Sequence, residues 1–97
     1  MIADLLFTGK ANAITAAALA DILETDRRRI TEAIQRERIA GKPIIGGRYG
    51  YYLARTPEEV HQEKKRLQKM IRQLLRVTAA LEETAQKMTG GAENKPP

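Results

Sequence analysis

Residues 14 to 53 read ITAAALADILETDRRRITEAIQRERIAGKPIIGGRYGYYL, and the order of elements they encode decides the fold. Thr15 can cap a helix running from Ala16 to Leu23, whose Leu19, Ile22 and Leu23 make an apolar stripe on an alanine-rich, closely packable body. Glu24 and Thr25 form a turn. Asp26, or Thr25 beside it, caps a second helix extending to about Ala40. Gly41 then supplies a left-handed exit, and Pro43 prevents continuation. Ile44 and Ile45 read as one strand and Tyr51, Tyr52 and Leu53 as its partner. The tip between them runs from Gly46 to Gly50, with glycine for the positive φ angles a hairpin demands. Alternation across the ribbon puts one of Tyr51 and Tyr52 in the core and the other outside.

On the N-terminal side, Ile2, Leu5 and Leu6 sit at helical spacing before Gly9, which predicts a short first helix. Asn12 to Thr15 leaves room for a turn or a minimal strand. On the C-terminal side, Thr56-Pro57-Glu58-Glu59 combines a capping residue, proline at the first helical position and glutamate three residues after the cap. Nothing breaks a helix from there to Met88, a length of about 48 Å. The closing TGGAENKPP is Gly/Pro-rich and polar, and is expected to be disordered. The expected organisation is therefore a small domain over residues 1–55, a long helix over 56–88 and a tail over 89–97.

The chain carries 17 Lys and Arg against 12 Asp and Glu, a net charge of +5. Arg27, Arg28, Arg29, Arg36, Arg38, Lys42 and Arg48, set against Glu32 and Glu37, account for all of that excess, and the remainder is balanced. An acidic partner is implied, nucleic acid first among them. There is no cysteine, so disulfides, Cys-type zinc sites and thiol nucleophiles are excluded. No apolar run approaches the roughly 20 residues of a transmembrane helix, and the N-terminus lacks the basic region of a signal peptide. A cytoplasmic protein without membrane association is expected.

On a helical wheel, Ile30, Ala33, Ile34 and Glu37 share one face of the second helix. Arg28, Glu32 and Gln35 point the opposite way, with Arg29 and Arg36 on the flank. An isoleucine anchor that leaves Arg and Gln outward suits direct readout, since Arg pairs bidentately with guanine and Gln with adenine. Arg27, Arg28 and Arg29 occupy the first turn, the end that usually enters the major groove, with Asp26 or Thr25 at the cap. Arg48 and Tyr49 at the hairpin tip are placed to meet a minor groove or a phosphate. With four aromatic residues in the chain, no stacking platform for single strands is indicated.

These residues resemble the winged helix-turn-helix of the biotin operon repressor N-terminal type, and small phage and prophage proteins built on it. The resemblance rests on the Ile14-Thr15 entry and on Ala16, Leu19, Ala20 and Leu23 of the first helix. The anchors Ile30 and Ile34, the terminal Gly41, and Pro43, Ile44, Ile45, Gly50, Tyr51 and Leu53 of the ribbon complete it. It implies double-stranded DNA binding. No ligase domain follows in this sequence, so ligase activity is not implied. The family usually has Leu where this chain has Glu37. Either Glu37 lies at the core edge and pairs with a nearby Arg, or the helix end tilts.

Val60, Leu67, Leu74, Leu81 and Met88 recur every seven residues, interleaved with Lys64, Ile71, Thr78 and Ala85. That is a heptad seam, widened in its middle by Met70, Leu75 and Val77. The expected consequence is a homodimer or higher oligomer. Thr78 and Ala85 are small and Lys64 is charged, so a uniform parallel zipper fits poorly at its ends. An antiparallel pair or a bundle suits the apolar centre at least as well. Lys64, Lys65, Arg66, Lys69, Arg72 and Arg76 make the first half basic, as on a solvated coiled-coil exterior.

A catalytic reading finds no acid pair flanking a convincing pocket, no cysteine and one histidine, His61, expected at the surface on the first turn of the long helix. No His, Asp or Glu cluster has metal-ligand spacing, so neither enzyme activity nor a cofactor is expected. The sequence predicts a mostly α, α+β fold: a winged helix-turn-helix followed by a coiled-coil-like C-terminal helix. The expected function is sequence-specific duplex binding by a small bacterial or phage transcriptional regulator. The alternative is a winged helix serving as a protein adaptor, with the long helix as its docking surface.

Overall fold

The structure is a computed structural model that describes the backbone of residues 1–94 and the side chains of residues 1–90. Three α-helices, α1 (Ala16–Ile22), α2 (Arg27–Ile39) and α3 (Pro57–Asn94), accompany one antiparallel hairpin, β1 (Ile44–Gly47) and β2 (Gly50–Leu53). Two short 3-10 turns, Ile2–Leu5 and Lys10–Asn12, precede them. The fold is α+β and mostly α. Packing divides the chain into two units, Met1–Lys64 and a second that begins at Lys65.

In the first unit, α1 starts where Thr15 Oγ1 accepts from Ala18 N at 3.1 Å. It ends in a Schellman turn, in which Thr25 N donates to Ala20 O at 2.9 Å and Glu24 N to Asp21 O at 3.3 Å. Of the two capping candidates for α2, Asp26 is used, accepting from Arg29 N at 2.8 Å. A second Schellman turn closes α2, with Lys42 N to Glu37 O at 2.9 Å and Gly41 at φ +101°.

The core joins Ile2, Ala3 and Leu6 to Leu19 and Ala20 of α1, Ile30 and Ile34 of α2 and Ile44 of β1. Two expectations for the first unit need correction. The N-terminal element is a 3-10 turn, because a single turn has too few backbone bonds to propagate an α-helix. Ile22 and Leu23 are exposed rather than core, since α1 ends at Ile22 before that stripe can pass over the core.

The hairpin register pairs Ile44 with Leu53 and Gly47 with Gly50, so the tip is only Arg48 and Tyr49. Neither takes a positive φ, so Gly46 and Gly47 are strand residues and Gly50 alone carries the left-handed conformation, at φ +121°. A Cβ on Gly50 would sit 2.3 Å from Ile14 O. That closeness arises because Ile14 bridges Tyr51 through 2.9 Å and 2.7 Å backbone bonds. Ile14 is thus the minimal strand that the sequence allowed. A parallel bridge from Thr8 to Leu53, not expected from the sequence, covers the same edge of β2. Tyr51 packs against the core as one of the two was expected to, while Tyr52 is half-buried and not fully outside.

α3 begins as its capping residues predict: Glu59 N donates to Thr56 Oγ1 at 3.3 Å, and the Glu59 carboxylate accepts from Arg55 N. The helix runs through Asn94, past the expected end at Met88. Glycine costs only about 1 kcal/mol relative to alanine inside a helix, too little for Gly90 and Gly91 to stop one already propagating. The rest of the expected tail, residues 95–97, lies outside the described residues.

Candidate nucleic-acid interface

α2 is held by one side. Ile30 and Ile34 are 1% and 2% exposed, and Ala33 packs against the same core. Glu37, one turn further on, is also buried, and its carboxylate accepts from Ile2 N at 2.7 Å and Ala3 N at 2.8 Å. The expected pairing of Glu37 with a nearby Arg does not occur, because its partners are backbone amides. α2 thus uses a buried carboxylate to satisfy the free N–H groups of the N-terminal turn.

The opposite side is open to solvent. Arg27, Arg28, Arg29, Glu32, Gln35 and Arg36 are all exposed, and Thr25 is half-buried in the preceding turn. Arg28, Arg29, Glu32 and Arg36 gather with Asp26 around one shallow depression. Arg28 Nε lies 3.2 Å from Glu32 Oε1, an exposed i,i+4 pair. Such a pair is worth about 0.3–0.5 kcal/mol and is screened by salt, so it orients the guanidinium without sequestering it. The two terminal nitrogens of Arg28 remain for a bidentate acceptor.

Arg48 and Tyr49 form the hairpin tip, where the Arg48 guanidinium carbon stands 5.7 Å from the Tyr49 ring centroid. Tyr49 is 62% exposed. The stacking stiffens a long basic side chain at the end of a two-residue turn.

One member of the basic cluster is withdrawn from this surface. Arg38 turns inward, donating from Nε to Ile44 O at 2.9 Å and from Nη2 to Glu63 Oε2 at 2.6 Å. Glu63 is buried and also accepts from Gly46 N at 2.7 Å. It ties the start of α3 to α2 and to the hairpin. Its neighbours in the sequence, Gln62 and Lys64, are polar, so nothing in the pattern marked it as buried. The first unit accordingly extends to Lys64 and takes in Val60, which lies beside Pro43 and Ala54.

Ile39 was also not singled out. It is 88% exposed, and at about 100° per residue it falls on the same side of α2 as Arg28, Glu32 and Gln35. The wheel that placed the arginines would have shown it. His61 is exposed, and among the described residues no group of three His, Cys, Asp or Glu could hold a metal ion.

In the second unit, Met70, Ile71, Leu74, Leu75, Val77 and Leu81 are all exposed, and Leu67 is half-buried. No helix among the described residues is long and apolar enough to cross a membrane. No family model, curated protein or solved structure matches the chain.

Proposed function

We propose that the first unit is a winged helix-turn-helix that binds double-stranded DNA in a sequence-dependent manner, with α2 as the reading helix and the Arg48–Tyr49 tip as the wing. The observation that carries this is the two-sided character of α2. Ile30, Ile34 and Glu37 fix one side, and Arg28, Arg29, Gln35 and Arg36 are displayed on the other. Base readout needs long donors on a rigidly seated helix, and this helix meets both conditions. Arg28 and Gln35 are assigned to base edges, Ile39 to a thymine methyl, and Arg27, Arg29, Arg36 and Arg48 to phosphates. Thr25 sits at the entry to the helix, and Tyr49 braces Arg48.

The same reading makes the protein a small bacterial or phage transcriptional regulator that self-associates through Leu67, Met70, Ile71, Leu74, Leu75, Val77 and Leu81. A two-fold oligomer would then recognise a pseudo-palindromic site.

Selection from a random duplex library with the full chain is the test, and a defined consensus is the expected result. Against that consensus, Arg28→Ala should cost about 1–3 kcal/mol and relax preference at one position. Arg48→Ala should weaken all duplexes alike and reduce the salt slope by about one. Binding without enrichment would point to non-specific coating. Failure to bind any duplex would point to the protein-adaptor alternative.

A further inference from the structure

The hairpin has two edges, and they are covered in different ways. On β2, Tyr51 exchanges backbone bonds of 2.9 Å and 2.7 Å with Ile14, and Leu53 bonds Phe7 and Gly9. Across the ladder from these two residues stand Gly46 and Ile44. In an antiparallel pair, a residue that bonds outward on one strand faces a residue that bonds outward on the other. Gly46 N–H and Ile44 C=O therefore both point to the outer edge of β1, two residues apart, where a third strand would lie. No strand covers that edge among the described residues. Instead Arg38 Nε donates to Ile44 O at 2.9 Å, and Gly46 N donates to Glu63 Oε2 at 2.7 Å. The arrangement closes on itself, because Arg38 Nη2 donates to the same Oε2 at 2.6 Å.

An arginine of α2 and a glutamate of α3 thus stand in for an edge strand. Such a pair is weak as a source of net stability. The Glu63 side chain is 7% exposed and that of Arg38 22%, and withdrawing two charges from water offsets most of their attraction. What the pair fixes is position. Gly46 and Gly47 carry no side chains to pack, and a two-stranded hairpin alone is marginal in water. Arg48 follows directly after Gly47, so any freedom in β1 is passed to the tip. Ile14 holds the β2 side of the hairpin, and the Arg38–Glu63 pair holds the β1 side. Arg38 belongs to α2, so the bonds that hold β1 also refer it to the helix displaying Arg28 and Gln35.

We infer that Glu63 is a positioning residue of the wing. Through Gly46 and Arg38 it keeps the Arg48–Tyr49 tip at one attitude to α2. A phosphate contact by Arg48 and base contacts by α2 then fit one duplex together. The inference rests on the duplex-binding reading. Its physical content is preorganisation, since a tip held beforehand loses less freedom on meeting a phosphate. Glu63 is buried and touches no DNA in this scheme, so its effect must travel through Arg48. A purely structural residue behaves differently, because its loss weakens the contacts of α2 and of the tip alike.

The test uses the full chain, with Glu63→Ala to remove both bonds and Glu63→Gln to keep an acceptor oxygen without the charge. NMR relaxation is measured first, without DNA. Glu63→Ala should lower the backbone order parameters of Arg48 and Tyr49 from about 0.85 towards 0.6, from rigid to flexible backbone, and leave those of Ile30 and Ile34 unchanged. Unchanged order at the tip overturns the inference whatever the duplex result. Affinity for the selected duplex is then measured over a range of salt for Glu63→Ala, Arg48→Ala and the double variant. Glu63→Ala should bind several-fold more weakly, with a salt slope smaller by about one. Added to Arg48→Ala, it should cost less than about twofold more. Glu63→Gln should show both effects in smaller measure. Additive losses overturn the inference and leave duplex binding standing. An unmodified chain that binds no duplex overturns the duplex-binding reading, and the role of Glu63 in it, even where tip order falls.

Discussion

Ile34 and Leu74 are both large aliphatic residues in the middle of amphipathic helices, yet one is 2% exposed and the other 61%. Around Ile34 the chain supplies everything its helix needs. The core is closed by residues of α1, α2, β1 and the N-terminal turn, and among the described residues no buried side-chain N or O lacks a partner. Leu74 belongs to the second unit, whose described residues are α3 alone, and it stays exposed there. Most helical stability in proteins comes from burying an apolar face, not from propensity. The first unit buries its own apolar residues; the second leaves Leu74 and Leu81 exposed at seven-residue spacing, and the proposed self-association is what would cover them.

That contrast is broken most directly by exchanging insults between the units. Ile34→Ala should remove about 2–5 kcal/mol from the first unit, the range for a large-to-small core change. Against a total of about 5–15 kcal/mol this is a large fraction, visible as a lowered urea midpoint. Leu74→Asp should leave hydrogen exchange of the α2 amides unchanged while shifting sedimentation from oligomer to monomer, because it would bury an unpaired charge only in the assembly. By lost avidity it should also weaken DNA binding. If Ile34→Ala leaves the midpoint where it was, α2 is not seated by that face. If Leu74→Asp leaves the assembly intact, the apolar seam is not its basis.

Glu37 sharpens the comparison within the first unit, because it is a buried residue that hydrophobic patterning cannot explain. Glu37→Leu gives α2 a fully apolar face and a residue of similar bulk. It also strips both acceptors from the buried N–H groups of Ile2 and Ala3. Each buried donor left unpaired costs about 1–3 kcal/mol, and the added apolar burial returns about 1.5–3 kcal/mol. The net expectation is a loss of about 1–2 kcal/mol, with amide shifts in NMR spectra concentrated in the turn from Ile2 to Leu5. A variant that gains stability would show that the carboxylate contributes nothing there beyond filling space.

These cases also show what the sequence could and could not disclose. The capping residues Thr15, Asp26 and Thr56, the Gly41 exit and the Ile30–Ile34 anchor were legible because each is a local signal, settled within one or two turns of chain. The hairpin strands were legible, but the tip was drawn too wide. Three nearby glycines suggested flexibility at every one, whereas the need at Gly50 comes from Ile14, far back in the sequence. Glu37 and Glu63 were missed as cap and joint for the same reason. Their partners are Ile2, Ala3, Arg38 and Gly46, and a charged residue gives no periodic sign that it is buried. The exposed arginines of α2 were placed correctly by the wheel, which also held Ile39 in plain view.

The two Schellman turns provide the finest comparison, since both end a helix in the same bonding pattern with different residues at the left-handed position. After α2 that residue is Gly41. After α1 it is Glu24, the one non-glycine with positive φ among the described residues, at +52°. A left-handed conformation costs an L-residue with a side chain about 1–2 kcal/mol. Glycine avoids that cost but has more freedom to lose on folding, about 0.4–1 kcal/mol. Glu24→Gly should therefore stabilise the first unit by about 0.5–1 kcal/mol, read as a small rise in urea midpoint at constant m-value. The reverse exchange at Gly41, where a Cβ would meet nothing within 4 Å, tests the same conformational term without a steric one. Gly41→Ala should destabilise by about 1 kcal/mol. If both substitutions moved the midpoint in the same direction, left-handed strain would not be what distinguishes the two turns.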